Sequence, residues 1–275
     1  LFGYTQGATL QNINVEDSAI NGAQYVGGIV GYATTTTISN CSYSGMVIGT
    51  QYVGGISGYY GSIQNCTNYG AIGGETAVGG INGYYGNVTS SHNAGSVAGS
   101  VEYVGGILGQ GQSSSSVTNS YNTGNVSGNN YVGGINGGGS KVITSYNLGN
   151  VSGNEYVGGI VGVAGEVVYN NFNLGSVSGL TESIGGIVGG IEGASSIEEA
   201  ILAGVQYTYS NYYGGNCENI GGMLSGEIAG ATYSATLADD AKTLEFFQTV
   251  SNWQVSYPWD FDFTWELSAG QSDGY

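Results

Sequence analysis

A short string of small apolar residues and glycines recurs at a nearly constant interval along the chain. The string is V/I-G-G-I-x-G, and full copies begin at Val26, Val53, Val78, Val104, Val132, Val157 and Ile184. The first six spacings lie between 25 and 28 residues and average about 26. A constant period of roughly 20–50 residues is typical of stacked repeat folds. The pattern therefore predicts one short structural unit, copied many times.

A second glycine string lies between these copies and keeps the same period. Its glycines are Gly45, Gly70, Gly95, Gly124, Gly149 and Gly175, and Val or Ile follows two residues after each. Each unit thus contains three short apolar stretches separated by Gly, Asn or Ser, a pattern typical of strands joined by tight turns. No segment between residues 1 and 190 has helical periodicity over ten residues.

A single unit cannot bury its apolar side, whereas units stacked about 4.8 Å apart bury a continuous core and pair their backbone groups. The sequence therefore predicts an all-β, right-handed parallel β-helix, or β-solenoid, of about eight to nine coils with about 26 residues each. We expect Gly27, Gly54, Gly105 and Gly133 to form one row. Glycines should provide positive φ angles and close backbone approach at the corners.

Two regions are predicted: a repeat solenoid over residues 1–238 and a small aromatic cap over residues 239–275. Residues 1–4 superpose on 29–32, so the chain starts within a coil, and we expect upstream protein or a partner on that face. Residues 239–250 have helix-compatible spacing, and the segment after them contains all three tryptophans. The alternative to a cap is an aromatic binding face.

Composition excludes several classes of protein. The 54 glycines come with one proline, which excludes collagen. Asp and Glu number 19 against two Lys and Arg, for a formal net charge of −17. Nucleic acids and anionic lipids are therefore excluded as partners, because both require basic side chains. No apolar run is long enough to span a membrane.

Candidate catalytic residues are absent from the sequence, and we predict that the chain is not an enzyme. His92 is the only histidine, and it occupies a repeat column that also contains Tyr121 and Tyr146. We therefore expect it in a side-chain ladder rather than as a catalytic base. A polysaccharide lyase or hydrolase is a weaker alternative that depends on fold analogy alone.

Tyrosine precedes most copies of the first string, at Tyr25, Tyr52, Tyr103, Tyr131 and Tyr156. Gln, Glu or Asn lies one residue earlier. Because side chains alternate along a strand, one column should face inward and the other, with its carboxylates, should face solvent. The tyrosines form either a stacking ladder at a corner or an exposed stripe that stacks on sugar rings, and the second possibility makes them candidate ligand-binding residues.

Calcium is the one candidate cofactor. Glu155, Glu182 and Glu218 are expected one coil apart, where they either point into water or bridge a calcium ion. Asp260 and Asp262 flank Phe261 and form a second weak calcium candidate. Neither set is part of a recognisable calcium-binding loop.

Two further columns predict structural ladders. Asn68, Asn93, Asn122, Asn147 and Asn173 should form an amide ladder at a turn. Cys41 and Cys66 share one column that continues with Ser, so they are expected to be small ladder residues. A disulfide between these neighbouring coils is the alternative.

The strings YVGGIVGY (25–32), SVTNSYNTGNVSG (116–128) and W-D-F-x-x-x-W-E (259–266) together resemble those of the GLUG-motif repeat proteins. That family comprises bacterial secreted or wall-attached proteins, including adhesin-like polypeptides and repeat regions of immunoglobulin-A-cleaving metallopeptidases. The resemblance implies a secreted or cell-surface location and a role as spacer or binding module. The peptidase activity does not carry over, since the sequence has no H-E-x-x-H motif.

These observations predict a non-enzymatic, extracellular structural or adhesive module of a bacterial surface protein or filament, with head-to-tail self-assembly as a variant. The expected partners are other copies of the chain or flanking domains of a larger surface protein. The alternative is a carbohydrate-binding module that uses the tyrosine ladder, with host or environmental glycans as partners.

Overall fold

The computed structural model describes residues 1–180 and 183–191, and the backbone of three further strands at 208–213, 226–228 and 231–237. Every regular element in these segments is a β-strand. The described residues contain no helix that could cross a membrane.

The strands of the first four coils are short and follow one another closely. In chain order they are β1 (Phe2–Gln6), β2 (Thr9–Gln11), β3 (Asn14–Asn21), β4 (Gln24–Gly27), β5 (Val30–Ser39), β6 (Ser42–Ile48), β7 (Gln51–Gly54), β8 (Ser57–Gln64), β9 (Thr67–Asn68), β10 (Ala71–Gly79), β11 (Asn82–Tyr84), β12 (Asn87–Thr89), β13 (His92–Asn93) and β14 (Val97–Gly105).

The later coils have still shorter strands. They are β15 (Leu108–Gln110), β16 (Ser116–Thr118), β17 (Tyr121–Asn122), β18 (Val126–Ser127), β19 (Asn130–Gly133), β20 (Asn136–Gly138), β21 (Lys141–Ile143), β22 (Tyr146–Asn147), β23 (Val151–Ser152), β24 (Glu155–Gly158), β25 (Val161–Ala164), β26 (Val168–Tyr169), β27 (Phe172–Asn173), β28 (Val177–Ser178), β29 (Ile184–Gly185), β30 (Val188–Ile191), β31 (Thr208–Tyr213), β32 (Gly226–Ile228) and β33 (Ala231–Leu237).

Successive coils stack in parallel with equivalent positions in register. Gly27 pairs with Gly54, and Gly105 pairs with both Gly79 and Gly133, so the first glycines of the repeated string form a single row. The predicted parallel β-solenoid is confirmed, and the described residues form about seven turns, which roughly matches the eight to nine coils expected for the chain.

Each coil contains five paired segments, where the sequence indicated three apolar stretches. The coil that begins at β19 continues through β20, β21, β22 and β23, and each of these strands pairs with its equivalent in the next coil. Residues with positive φ separate some of the segments, as Thr144 (φ 46°) does between β21 and β22. The equivalent positions are often Asn, which tolerates this conformation better than most residues.

The core is a set of aliphatic rows along the solenoid axis. The isoleucine of each repeated string is fully or almost fully buried: Ile29, Ile56, Ile81, Ile107, Ile135, Ile160 and Ile187. Valines from the other segments fill the remaining volume, including Val88, Val117 and Val142 in one row. Since each coil contributes only a few apolar side chains, the core becomes continuous only when coils stack.

The paired glycines are required by close contact and not by φ. A Cβ at Gly106 would lie 2.1 Å from the carbonyl oxygen of Gly134 and 2.5 Å from Cγ of Asn122. The expectation that glycines supply positive φ at the corners holds only in part, because Tyr25, with φ of 55°, and its column equivalents adopt that conformation before each glycine pair.

The described strands after β30 continue the stacking. β31 pairs in parallel with β26 and β27, and β33 pairs in parallel with β31. β32 pairs with β33 in antiparallel orientation. The predicted cap at 239–275 lies outside the described residues.

We expect Gly106→Ala to lower the free energy of unfolding by about 1–3 kcal/mol, because the added methyl group must displace backbone and amide atoms. Gly73→Ala is the control: Gly73 lies in β10, and the nearest atom to its added Cβ is 4.0 Å away, whereas Gly106 directly follows β14 at a site of close contact. The control should change stability by less than about 0.5 kcal/mol. Urea unfolding measures both, and equal effects would refute the contact argument.

Candidate functional site

A buried amide ladder runs along one corner of the solenoid. Nδ2 of Asn93 donates to Oδ1 of Asn122 at 2.7 Å, and Asn122 donates in the same way to Asn147. Each amide also donates to the carbonyl of the glycine two residues later, as Asn122 does to Gly124 at 2.7 Å. All five predicted asparagines, from Asn68 to Asn173, take part. Their side chains are fully buried, so the ladder is structural and inaccessible to a ligand.

His92 lies in an aromatic stack next to this ladder. Its ring lies 4.0 Å from that of Tyr121, and the stack continues to Tyr146 and Phe172 with centroid separations of 4.8 Å. Nε2 is 3.2 Å from Oγ1 of Thr123. Burial lowers the pKa of His92 to about 4, because desolvation disfavours the imidazolium. This histidine is therefore a neutral ladder residue, as the sequence indicated.

The two cysteines of the first coils are free thiols. Cys41 and Cys66 are buried, and the backbone N–H of Cys41 donates to Sγ of Cys66 at 3.4 Å. Burial raises the pKa of Cys66 to about 12. Both act as small ladder residues, and the alternative of a disulfide is not observed between them.

The five tyrosines before the glycine pairs form a ladder at the solenoid surface. The ring of Tyr131 stacks on those of Tyr103 and Tyr156, with centroids 4.8 and 5.2 Å apart. Tyr25 and Tyr52 stack in the same way at 5.4 Å. The column position between these two groups is occupied by Ala77, which interrupts the ladder.

The expected alternation of inward and outward columns is wrong at this point. Glu102 and Tyr103 are both half-buried at the surface, and Glu155 and Tyr156 behave in the same way. The reason is the left-handed conformation of the tyrosine, with φ near 55°, which rotates its side chain out of the strand pleat. The valine that follows each of these tyrosines is buried.

A larger aromatic cluster, which the sequence analysis missed, covers the same corner of the first four coils. A second tyrosine column, Tyr4, Tyr32, Tyr59 and Tyr84, lies in register beside the first. Tyr59 contacts Tyr25, Tyr52 and Tyr84 at centroid distances of 5.0–5.1 Å. Burial and neighbouring phenols raise the pKa of Tyr59 to about 12. The repeated GGIxGY pattern was the signal that could have identified this column.

A groove begins where that cluster ends. Its volume is about 410 Å³, within the range of small-molecule sites. The lining residues are Tyr84, Tyr103, Gln110, Gly111, Gln112, Ser113, Gly139, Gly165 and Glu166. Of the tyrosines proposed as ligand-binding residues from the sequence, Tyr103 is the one that the groove includes.

Of the five candidate calcium ligands, Glu155 is the one within the described part of the chain. Glu155 is half-buried on β24, where it pairs in register with Asn130. Glu182, Glu218, Asp260 and Asp262 lie outside the described residues. Within residues that the structure describes, no three His, Cys, Asp or Glu side chains form a group suited to a metal ion.

We expect His92 to make the stability pH-dependent between pH 6.5 and about 4. Because the folded pKa is depressed, the neutral imidazole's contribution is complete above pH 6.5 and declines as protons bind preferentially to the unfolded chain. The variant His92→Tyr continues the stack without a charge in this range. Urea unfolding at pH 7 and pH 4.5 should show a larger loss for the wild type. Equal losses in the two proteins would contradict this assignment.

Comparison with known proteins yields one structural neighbour and one motif. The crystal structure of a putative immunoglobulin A1 protease from Bacteroides ovatus matches with a TM-score of 0.53 and 20% sequence identity. The match covers 61% of this chain and 60% of that chain, so less than two thirds of the neighbour is spanned. At this identity the similarity shows the fold alone. No curated protein matches the chain.

The GLUG motif matches residues 22–48. This segment is one complete coil, from the start of β4 to the end of β6. The resemblance noted in the sequence is thereby confirmed, and the chain is a parallel β-solenoid that carries the GLUG motif.

Proposed function

We propose that the chain is a non-enzymatic, extracellular repeat module with a structural and adhesive role in a bacterial surface protein or filament. The observation that carries this proposal is the parallel pairing of equivalent strands from coil to coil, which continues on both sides of local register shifts such as the one between Gly74 and Thr76. Backbone hydrogen bonds join neighbouring coils along every segment, for example from Ile107 to Ile135 at 2.9 Å and from Ile135 to Ile160 at 2.9 Å.

Rigidity follows from this bonding. A coil cannot bend away from its neighbour without breaking backbone bonds in several rows and the side-chain bond between Asn93 and Asn122. The net charge of −17 adds mutual repulsion, which keeps parallel rods from collapsing on one another. Both properties suit a spacer that holds a binding surface away from a cell.

An extracellular location is supported by the GLUG motif and by the scarcity of basic residues. Lys141 and Lys242 are the two positions in the sequence at which a trypsin-like protease could cut. The proposed partners are other copies of the chain and flanking domains of a larger surface protein. Head-to-tail assembly is the variant in which copies of the chain stack coil on coil.

Absence of catalysis is part of the same proposal. His92 stacks on Tyr121 and has a lowered pKa, and Cys66 is buried with a raised pKa. A general base works best with a pKa near the operating pH, and a nucleophilic thiol must ionise near neutral pH. The pKa values of His92 and Cys66 fit neither role.

Carbohydrate binding is the second candidate function, and the partly exposed tyrosine ladder favours it. Tyr131 and Tyr156 lie at the surface with polar residues beside them, namely Asn130 and Glu155. Aromatic side chains with adjacent amide and carboxylate groups are the usual lining of a polar-ligand site. Host or environmental glycans would be the partners.

We expect residues 1–180 to resist chymotrypsin at neutral pH, although Tyr25 and Tyr69 are exposed. Cleavage requires local opening, and opening breaks the bonds to both neighbouring coils. Asn122→Ala removes one ladder hydrogen bond each from Asn93 and Asn147, which keep their bonds to Gly95 and Gly149, and it removes the donor to the carbonyl of Gly124. At about 1 kcal/mol for each lost bond, the variant should be cut at least roughly tenfold faster.

The matched control for this experiment is Asn21→Ala, which removes an exposed amide at the end of β3 and should leave the cleavage rate unchanged. Rapid cleavage of the wild type within residues 1–180 would refute the rigid-module proposal. Antibody labelling of intact cells of the source organism is the companion measurement, and label found only inside cells would refute the extracellular location.

For the second candidate, a triple variant of Tyr25, Tyr131 and Tyr156 to Ala removes ladder rings while keeping Tyr103. If the ladder binds glycans, glycan-array signals of the wild type should fall at least tenfold in this variant. Circular dichroism confirms that the variant is folded. Unchanged signals would exclude the ladder as the binding surface.

A further inference from the structure

The second tyrosine column ends after the coil that contains Tyr84, although the ladder beside it continues with Tyr103, Tyr131 and Tyr156. The aligned positions of successive coils hold first three tyrosines, Tyr32, Tyr59 and Tyr84, and then Gln110, Gly138 and Val163. The residues after Tyr59 and Tyr84 are again tyrosines, Tyr60 and Tyr85, whereas Gly111 and Gly139 follow Gln110 and Gly138. In both columns, residues without a ring thus take the place of tyrosines. The groove lies in the space that the rings would otherwise fill.

The floor of the groove is backbone that cannot be filled by larger residues. A Cβ at Gly111 would lie 2.4 Å from Cβ of Ser140, and a Cβ at Gly139 would lie 2.6 Å from the carbonyl oxygen of Gly111. The groove is therefore fixed by the coil stacking. It extends over four successive coils, from Tyr84 to Glu166, which at about 4.8 Å per coil is roughly 14 Å.

A loop inserted in one coil forms the rim of the groove. Between β15 and β16 the loop contains five residues, 111–115, whereas between β20 and β21 it contains two, 139–140. Nε2 of Gln112 donates to Oη of Tyr84 at 2.6 Å, and Tyr85 is hydrogen-bonded to Ser114 at 2.8 Å. These bonds hold the longer loop against the last rings of the tyrosine cluster.

The lining combines aromatic walls with side chains that can hydrogen-bond to hydroxyl groups. Tyr84 and Tyr103 supply the rings, and Gln110, Gln112 and Ser113 supply amide and hydroxyl donors and acceptors. This combination fits a ring with apolar C–H faces and several hydroxyls, which is the description of a pyranose. A purely apolar ligand would remove water from these polar groups without offering them hydrogen bonds in return.

The charge of the groove favours some classes of sugar over others. Glu166 is the one charged residue in the lining, and the whole chain has a formal net charge of −17. No Lys or Arg lines the groove, so a uronic or sialic acid would meet repulsion without a compensating cation. A neutral sugar meets no such penalty, and Glu166 can accept hydrogen bonds from its hydroxyls.

We propose that this groove, lined by Tyr84, Tyr103, Gln110, Gln112 and Glu166, binds neutral hexose units of a glycan chain. The proposal rests on the adhesive role proposed above and places the binding surface in the groove and not along the ladder. In the ladder, rings such as Tyr131 have neighbours stacked on both faces, at 4.8 and 5.2 Å, so a sugar could reach only their edges.

The test uses the full chain and an array of neutral and acidic oligosaccharides, followed by titration calorimetry with the best neutral ligand. We expect neutral glycans to bind and acidic glycans of the same length to bind at least tenfold more weakly. Gln110→Ala, Gln112→Ala and Glu166→Gln should each weaken binding about threefold to tenfold. Tyr103→Ala should weaken it more than tenfold.

The matched controls are Tyr25→Ala and Gln64→Ala, which change the same residue types away from the groove and should alter affinity less than twofold. Tyr103→Ala removes a stacking partner of Tyr131, so a melting curve is recorded for every variant. If Tyr103→Ala fails to fold, the three polar variants still test the groove.

Several outcomes would overturn the proposal. Binding that falls in Tyr25→Ala as much as in the groove variants would place the site on the ladder, leaving carbohydrate binding intact but the groove wrong. An array blank for the wild type, or preference for acidic glycans, would reject the groove as a neutral-sugar site. Neither result touches the rigid-module proposal, which chymotrypsin resistance tests separately.

Discussion

The contact between the second glycine of the pair, from Gly55 to Gly159, and a buried asparagine amide of the opposite corner determines the cross-section of the solenoid. At Gly80, Gly106 and Gly134 a Cβ would lie 2.4–2.5 Å from the side chain of an asparagine in the ladder. Two sides of the coil therefore approach as closely as backbone and a planar amide allow. Such proximity leaves no space for water, so every buried amide must find its partners within the protein.

The neighbouring coils supply those partners, and this requirement couples the coils to one another. An asparagine bonded to the asparagines above and below it is satisfied only when the coils are in register, since a shift of one residue would place an apolar or small side chain in the ladder. The register of the ladder then carries over to every other row. It aligns the isoleucines of the core, and it aligns the tyrosines at the surface, whose rings stack because their Cα positions are one coil apart.

The repeat period was sufficient to predict most of the fold, because equivalent residues in a solenoid lie directly over one another. The glycine row, the asparagine ladder and the place of His92 could all be predicted from column position alone. The five-segment coil and the outward rotation of the tyrosines could not. Both depend on positive φ at residues such as Tyr103 and Thr144, and no rule for single residues places a tyrosine in that conformation. The groove could not be predicted from the sequence, because it forms where the bulky side chains of other coils are missing.

The origin of the groove indicates where function should be sought in a repeat protein of this kind. Positions that repeat in every coil, such as Asn122 and Ile107, are explained by stacking, and a ligand site made only of them would recur along the whole rod. A single site needs a departure from the repeat. Here three departures coincide: Ala77 interrupts the tyrosine ladder, Gly111 and Gly139 stand where Tyr60 and Tyr85 stand in the preceding coils, and residues 111–115 lengthen one loop. Stacking alone accounts for none of them, and together they form the groove that we propose for a sugar.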